Sequence, residues 1–227
     1  MKIKLLSLLA LGCTLGAQAS TSFFVPGTSD LWLAGMPNGS TAGFGDVAPA
    51  QSPVYVPISL VAGSTLYFSS VTGGTAQGPL YPIDPVDGGI VYSHAIGAEN
   101  GIATLTAPIN ALIGVFLDAT QPDSSAAPAG LDFTSGQDYL SISPGLKQPF
   151  FIGDGLAFGT TQQGIVVPAG AQNLWIGTMD GYGWYNNIGS ISGNVDLAPV
   201  PEASSVLSGL ALSGMIGLGF FRRFRAA

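Results

Sequence analysis

Along the middle of the chain, short apolar runs alternate with clusters of Gly, Pro, Asn, Asp and Ser. The clearest runs are residues 22–25, 31–33, 54–61, 65–71, 102–105, 112–117, 164–167, 174–178 and 190–195. Alternation with a period of two is visible in Val54-Tyr55-Val56 and in Leu66-Tyr67-Phe68, as expected of strands that bury one face. Pro57 has no N–H to give a ladder, so its run is expected at a sheet edge or a bulge. No amphipathic helical period interrupts the series. The pattern predicts an all-β fold, an antiparallel β-sandwich whose core takes in residues 54–61 and 174–178. The stretch from 35 to 50 reads as a small, polar loop with a turn at Pro37-Asn38-Gly39, and 123–130 reads as another loop within one domain.

Composition removes several alternatives. Charged residues make up 8% of the 227, against roughly 25% in ordinary soluble domains, while apolar residues reach 47%. That is not the composition of a disordered chain, which is poor in apolar residues and rich in charge. With 33 glycines and 16 prolines it does not suit a helical bundle either. Charge is distributed unevenly. Lys147 is the single base between Ser20 and Glu202, whereas all 13 acids fall there, so that span carries a formal charge of −12. No phosphate-binding basic surface can be assembled from one lysine, which excludes nucleic acid as a partner. Docking on anionic lipid is disfavoured for the same reason.

The two ends read as addresses. Lys2 and Lys4 precede an apolar run that closes at Ala17-Gln18-Ala19, the three-part layout of a secretory signal peptide cleaved after residue 19. A lipoprotein signal ending at Cys13 is the rival, but Ala10-Leu11-Gly12 fits a lipobox poorly. Cys13 is the only cysteine, so cleavage leaves a mature chain without disulfides. At the C-terminus, residues 203–221 carry no charge and as a helix would span about 28 Å, one hydrocarbon core. Arg222, Arg223 and Arg225 follow and would stay on the cytoplasmic side. A permanent tail anchor is one reading of this span. The order Val200-Pro201-Glu202, apolar span, terminal Arg cluster resembles the PEP-CTERM sorting signal, with Ala203 where the usual motif has a second proline. That resemblance implies export, an inner-membrane intermediate held by the apolar helix, and processing by an exosortase-type enzyme. It further implies release to a Gram-negative cell envelope or extracellular matrix, in traffic linked to exopolysaccharide. The chain thus divides into a signal peptide (1–19), a β domain (20–199) and a sorting signal (200–227).

Candidate chemistry centres on residues 179–190. Asp180, Asn186 and Asn187 lie in one glycine-rich loop between two strand-like runs, and a carboxylate with two amides can make an oxygen cage for calcium. A glycine-rich connection without an ion is the alternative. The run Val167-Pro168-Ala169-Gly170, a strand, Asp180, Tyr185-Asn186-Asn187, then Gly189-Ser190 and a strand resembles the C-terminal half of PA-I-type galactophilic lectins. Those are calcium-dependent β-sandwiches of the galactose-binding-like class. Upstream, Ala62 to Phe68 followed by Gln77-Gly78-Pro79 is similar to that family's other metal-proximal strand and loop. The resemblance implies calcium held by the side chains of Asp180, Asn186 and Asn187, with one backbone carbonyl near Gly183 or Trp184 and another near Gln77. It also implies sugar bound beside the ion. The family's sugar-binding His and Gln have no match, and Asp84 and Asp87, in Asp84-Pro85-Val86-Asp87-Gly88, stand in that region instead.

Tyr182, Trp184 and Tyr185 crowd the same loop. Their rings could stack on the apolar faces of a sugar, or Trp184 and Tyr185 could be spent on the core. Trp32 and Trp175, inside strand-like runs, are expected in the core. His94 is the only histidine, which excludes a His-rich zinc site, and the mature chain offers no Cys nucleophile. It reads as an incidental surface residue or a satisfied one. Asp84, Asp87, Asp118, Asp132 and Asp154 could supply a glycosidase pair, but nothing in their spacing pairs them. The sequence therefore predicts a non-enzymatic calcium- and polysaccharide-binding envelope or matrix protein. A purely structural protein with a calcium-rigidified loop and a secreted carbohydrate-active hydrolase are the alternatives.

Overall fold

The computed structural model describes residues 20–198. The expected signal peptide and the expected sorting-motif residues Val200, Pro201, Glu202, Arg222, Arg223 and Arg225 lie outside them. Within this range the fold is all-β, and no helix among the described residues is long and apolar enough to cross a membrane. A large sheet runs in the order β1 (Thr21–Pro26), β15 (Ile188–Ala198), β3 (Thr65–Ala76), β13 (Gly164–Val166) and β9 (Ser141–Ile142), with β4 (Asp84–Pro85) on the far end of β3. A second sheet has the order β10 (Phe150–Phe151), β7 (Leu112–Leu117), β14 (Asn173–Thr178) and β2 (Val54–Val56). Two small sheets complete the set: β5 (Val91–Ser93), β6 (Leu105–Pro108) and β8 (Leu131–Asp132), then β11 (Leu156–Ala157) with β12 (Thr161–Gln162). The long ladders are antiparallel. The short pairings β13–β9 and β6–β8 are parallel, a departure from the purely antiparallel expectation.

The two larger sheets share one hydrophobic cluster. Phe23, Val25, Leu66, Phe68 and Ile191 from the large sheet meet Val115, Phe116, Leu174 and Ile176 from the second. On β1, inward Phe23 and Val25 alternate with outward Phe24, so the period-two pattern does set the buried face. Every residue of β7 is buried, which explains why Leu112–Leu117 reads as a continuous apolar run and not as an alternation. A satellite cluster of Leu33, Ala42 and Ala48 anchors the loop from 35 to 50 beside this core.

Several elements differ from expectation for identifiable reasons. Residues 31–33 form a buried 3-10 turn and not a strand, because Asp30 Oδ1 accepts the Trp32 N–H at 2.9 Å and caps the turn. The run 54–61 is a strand only over Val54–Val56. It ends before Pro57, at the sheet edge where the missing donor is tolerated. β3 and β15 extend well beyond their apolar cores, through Gly73, Gly74 and Gly189, and pair over most of their length with a bulge between Ser192 and Asn194. Gly73 has a φ of +108°, and a Cβ there would run into the Ser190 carbonyl. Glycine is what lets these backbones lie so close. Lys147, the single base of this domain, is consumed locally: its Nζ donates to the carbonyls of Pro122, Ser125 and Ala126 and to Ser125 Oγ.

Candidate functional site

The loop between β14 and β15 carries the expected ligands, and it is built from both ends. Met179 N–H donates to the Ala111 carbonyl at 2.9 Å and Asn110 N–H to the Met179 carbonyl at 2.7 Å, which fixes the exit from β14. Gly183 then takes a left-handed φ of +72° and starts a 3-10 turn over Trp184–Asn186 with no cap of its own. Asp46 supplies the cap from the 35–50 loop. Its Oδ2 accepts the Trp184 N–H at 2.9 Å and its Oδ1 the Tyr185 N–H at 2.8 Å. Nothing in the spacing of Asp46 pointed to this role, because the contact spans 138 residues and the segment around it reads as a plain loop.

Asp180 lies at the centre. Its Oδ2 accepts from Asn187 Nδ2 at 2.9 Å. Its Oδ1 accepts from the Gly181 N–H, with Tyr182 N–H at 3.4 Å and Gln77 Nε2 at 3.5 Å further out. Burial pushes the Asp180 carboxyl above the usual carboxylate range, and the Asn187, Gly181, Tyr182 and Gln77 donors pull it part of the way back. Asp180, Asn186 and Gln77 line one open cavity of about 270 Å³, together with Tyr81, Ile90, Tyr92, Ile109 and Tyr182. Asn187 lies behind them, buried, and its Oδ1 has no donor. Three of the five metal-site residues expected from sequence thus line one cavity, and a fourth, Asn187, bonds to Asp180 from behind. Gly183 takes part through the turn it starts, and the neighbouring Trp184 carbonyl is occupied by the Asn187 N–H at 3.0 Å.

The donor set suits a hard cation in kind, with oxygen donors from one carboxylate, two amides and nearby backbone. It is modest in charge, since among the described residues no three of His, Cys, Asp and Glu converge on one point. The orphaned Asn187 Oδ1 bears on the fit. Turning that amide over would set Oδ1 beside Asp180 Oδ2, a pairing of two oxygens that only a bound cation would stabilise.

The expected sugar-binding residues divide. Tyr182 and Tyr185 are exposed, and Tyr182 packs against exposed Phe44 with the rings tilted and their centroids 4.6 Å apart. Trp184 corrects the stacking reading: it is 1% exposed, packs against Trp32 at 5.4 Å and donates Nε1 to the Thr178 carbonyl at 2.9 Å, so its ring faces the core and no ligand. Asp84 lines the adjoining cavity. Asp87 is a second correction. It faces a separate cavity with Asp138 and Asp154, where its Oδ1 accepts the Asp154 N–H at 2.7 Å. Trp32 is in the core as expected, whereas Trp175 is only partly buried and packs against Tyr55 on the outer face of the second sheet.

His94 is buried, with one ring nitrogen hydrogen-bonded. It stacks on Trp32 at 3.7 Å, and its Nδ1 donates to the Gly97 carbonyl at 2.6 Å, which leaves Nε2 facing Glu99 Oε2 at 3.6 Å. Burial pushes the imidazole down to about 4, so it is neutral at physiological pH. Around this stack sit Asp30, Asp46 and Glu99, all pushed above their ordinary range first by burial, with added repulsion from Asp46 on Asp30 and Glu99 and from Asp180 on Asp46. No protein-family model matches the chain, and no curated protein sequence matches it.

Proposed function

We propose that this chain is an exported, non-catalytic envelope or matrix protein. Its β domain would be an antiparallel sandwich of the galactose-binding-like class that binds calcium at Asp180, Asn186 and Asn187 and a polysaccharide beside the ion. One observation carries the reading: Gln77, at the end of one strand, and Asp180 and Asn186, from a loop about a hundred residues later, open on one cavity beside exposed Tyr182, with the unpartnered Asn187 Oδ1 behind. Export and exosortase-type processing rest on the two ends of the sequence. The test is a calorimetric calcium titration of the chain and of Asp180→Ala and Asn187→Ala. The wild type should bind about one ion, Asp180→Ala should lose binding, and Asn187→Ala should weaken it less, because a neutral amide holds a hard cation less strongly than a carboxylate. A wild type that takes up no heat-detectable calcium at millimolar concentrations would sink the metal half of the proposal.

The structural alternative, in which calcium only stiffens the loop, is favoured by the burial of Trp184 and by the Asp46 cap, which hold the loop through protein contacts alone. Glycan-array binding separates the two readings.

A further inference from the structure

The cavity at Asp180 does not end there. A second cavity of about 480 Å³ adjoins it and shares Gln77, Tyr81, Ile90 and Ile109 in its wall, so the two form one furrow. Its near end is polar, with Asp180 and Asn186. Its far end is polar again, with Asp84 and Asn110. Between them the surface is apolar and open: Ile90 is 74% and Tyr81 58% exposed, a costly display unless something covers it.

The far end is held rigidly. Asn110 N–H donates to the Met179 carbonyl, its own carbonyl accepts from Thr75 Oγ1 at 2.8 Å, and its backbone takes a φ of +67°. Asn110 Nδ2 donates to Asp84 Oδ2 at 2.7 Å, which fixes the amide, since the reverse orientation would set two oxygens against each other at that distance. Asn110 Oδ1 is left without a donor.

The chemistry of the furrow selects its occupant. A carboxylate stands at each end and no base lines either cavity, so an anionic ligand is repelled. The same lack of bases removes the attraction that would hold this face on an anionic membrane. A hydrated cation has no use for the apolar stretch between. What fits is an uncharged chain that offers hydroxyl donors at intervals and C–H faces between them, which is a neutral oligosaccharide. The second cavity is larger than the first and lies within the roughly 300–1,000 Å³ of ordinary ligand sites, enough to matter as a site in itself.

We infer that the furrow carries a second sugar subsite, floored by Ile90 and Tyr81 and ended by Asp84 and Asn110, so that the ligand is a neutral oligosaccharide of at least two units. This rests on the calcium- and glycan-binding reading above and deepens it. The experiment compares mono-, di- and trisaccharides of the common neutral hexoses on one array, with the full-length chain in detergent and calcium present. Disaccharides or longer should bind at least tenfold more tightly than their own monosaccharides. Asp84→Ala and Pro82→Asp, at positions that line the second cavity alone, should abolish that advantage and leave monosaccharide and calcium binding unchanged. Equal affinity for mono- and oligosaccharides overturns the second subsite and leaves the first intact. Retention of the tenfold advantage in both variants likewise overturns it. Binding of no glycan at all overturns the subsite together with the polysaccharide half of the proposed function, as does sedimentation with phosphatidylcholine vesicles that an Ile90→Asp variant loses.

Discussion

Replacing Asp46 by alanine removes the hydrogen bonds through which the 35–50 loop holds the candidate site. Asp46 is fully buried, and both of its oxygens accept backbone N–H groups of the turn that carries Tyr185 and Asn186. A hydrogen bond to a charged group is worth roughly 1.5–3 kcal/mol, so two such bonds set an upper bound of about 6 kcal/mol. Against this stands the cost of keeping a carboxylate buried near Asp180, which pushes Asp46 above its usual range and which alanine would relieve. The net loss of stability on Asp46→Ala should therefore be about 2–4 kcal/mol. Asp46→Asn keeps one acceptor but turns an amide NH2 toward the other N–H, so it should recover less than half of that loss. Urea denaturation measures the free energy, and hydrogen exchange locates it. The Trp184 and Tyr185 amides should be protected in the wild type and exchange much faster in the variant. A stability change below about 0.5 kcal/mol, the level of an ordinary surface substitution, with both amides still protected, would refute the clasp.

Three further outcomes follow from the structure. Trp184→Ala should cost about 3–5 kcal/mol in denaturation, the usual loss for a buried aromatic ring, and a loss under 1 kcal/mol would return the ring to the surface. Asp30 is raised by burial, so its protonated form is favoured in the fold: the stability it contributes is fully present below the unfolded carboxylate range and is lost as pH rises through its folded pKa. Asp30→Asn should therefore gain in melting temperature relative to the wild type as pH goes from 4 to 8, and a difference independent of pH would disprove the assignment. Intact-mass spectrometry of envelope or secreted material should find a species lacking residues 203–227, whereas recovery only of chains that retain Arg222, Arg223 and Arg225 would make the tail a permanent anchor.

The parts of this structure that were legible in the sequence are those where one local rule had no competitor. β7 and β14 fall within a residue of their apolar runs because nothing inside them breaks a ladder. The strand from 65 could be started but not ended. Its outer half is Thr72-Gly73-Gly74-Thr75, whose pairing with β15 depends on the partner strand and leaves no apolar trace. Leu31-Trp32-Leu33 has the composition of a strand, yet a single side chain, Asp30, redirects its backbone. At the candidate site, Asp180, Asn186 and Asn187 could be grouped because one loop holds them. Asp46 and Asn110 could not, since each acts through contacts far away in sequence. Trp184 stood between two readings because its neighbours in the loop, Tyr182 and Tyr185, do face solvent. Adjacent aromatic residues on a tight turn point opposite ways, and only the fold tells which.

The position of β15 has a consequence in time. This last strand lies between β1 and β3 and is hydrogen-bonded to both, so the first strand of the domain has no sheet partner until the final one arrives. Ribosomes deliver the chain from its N-terminus, and a long separation between partners slows their closure. While residues 188–198 are still being made, the large sheet is split in two and its apolar faces cannot be sealed. The core of the large sheet is therefore closed by the strand that is synthesised last.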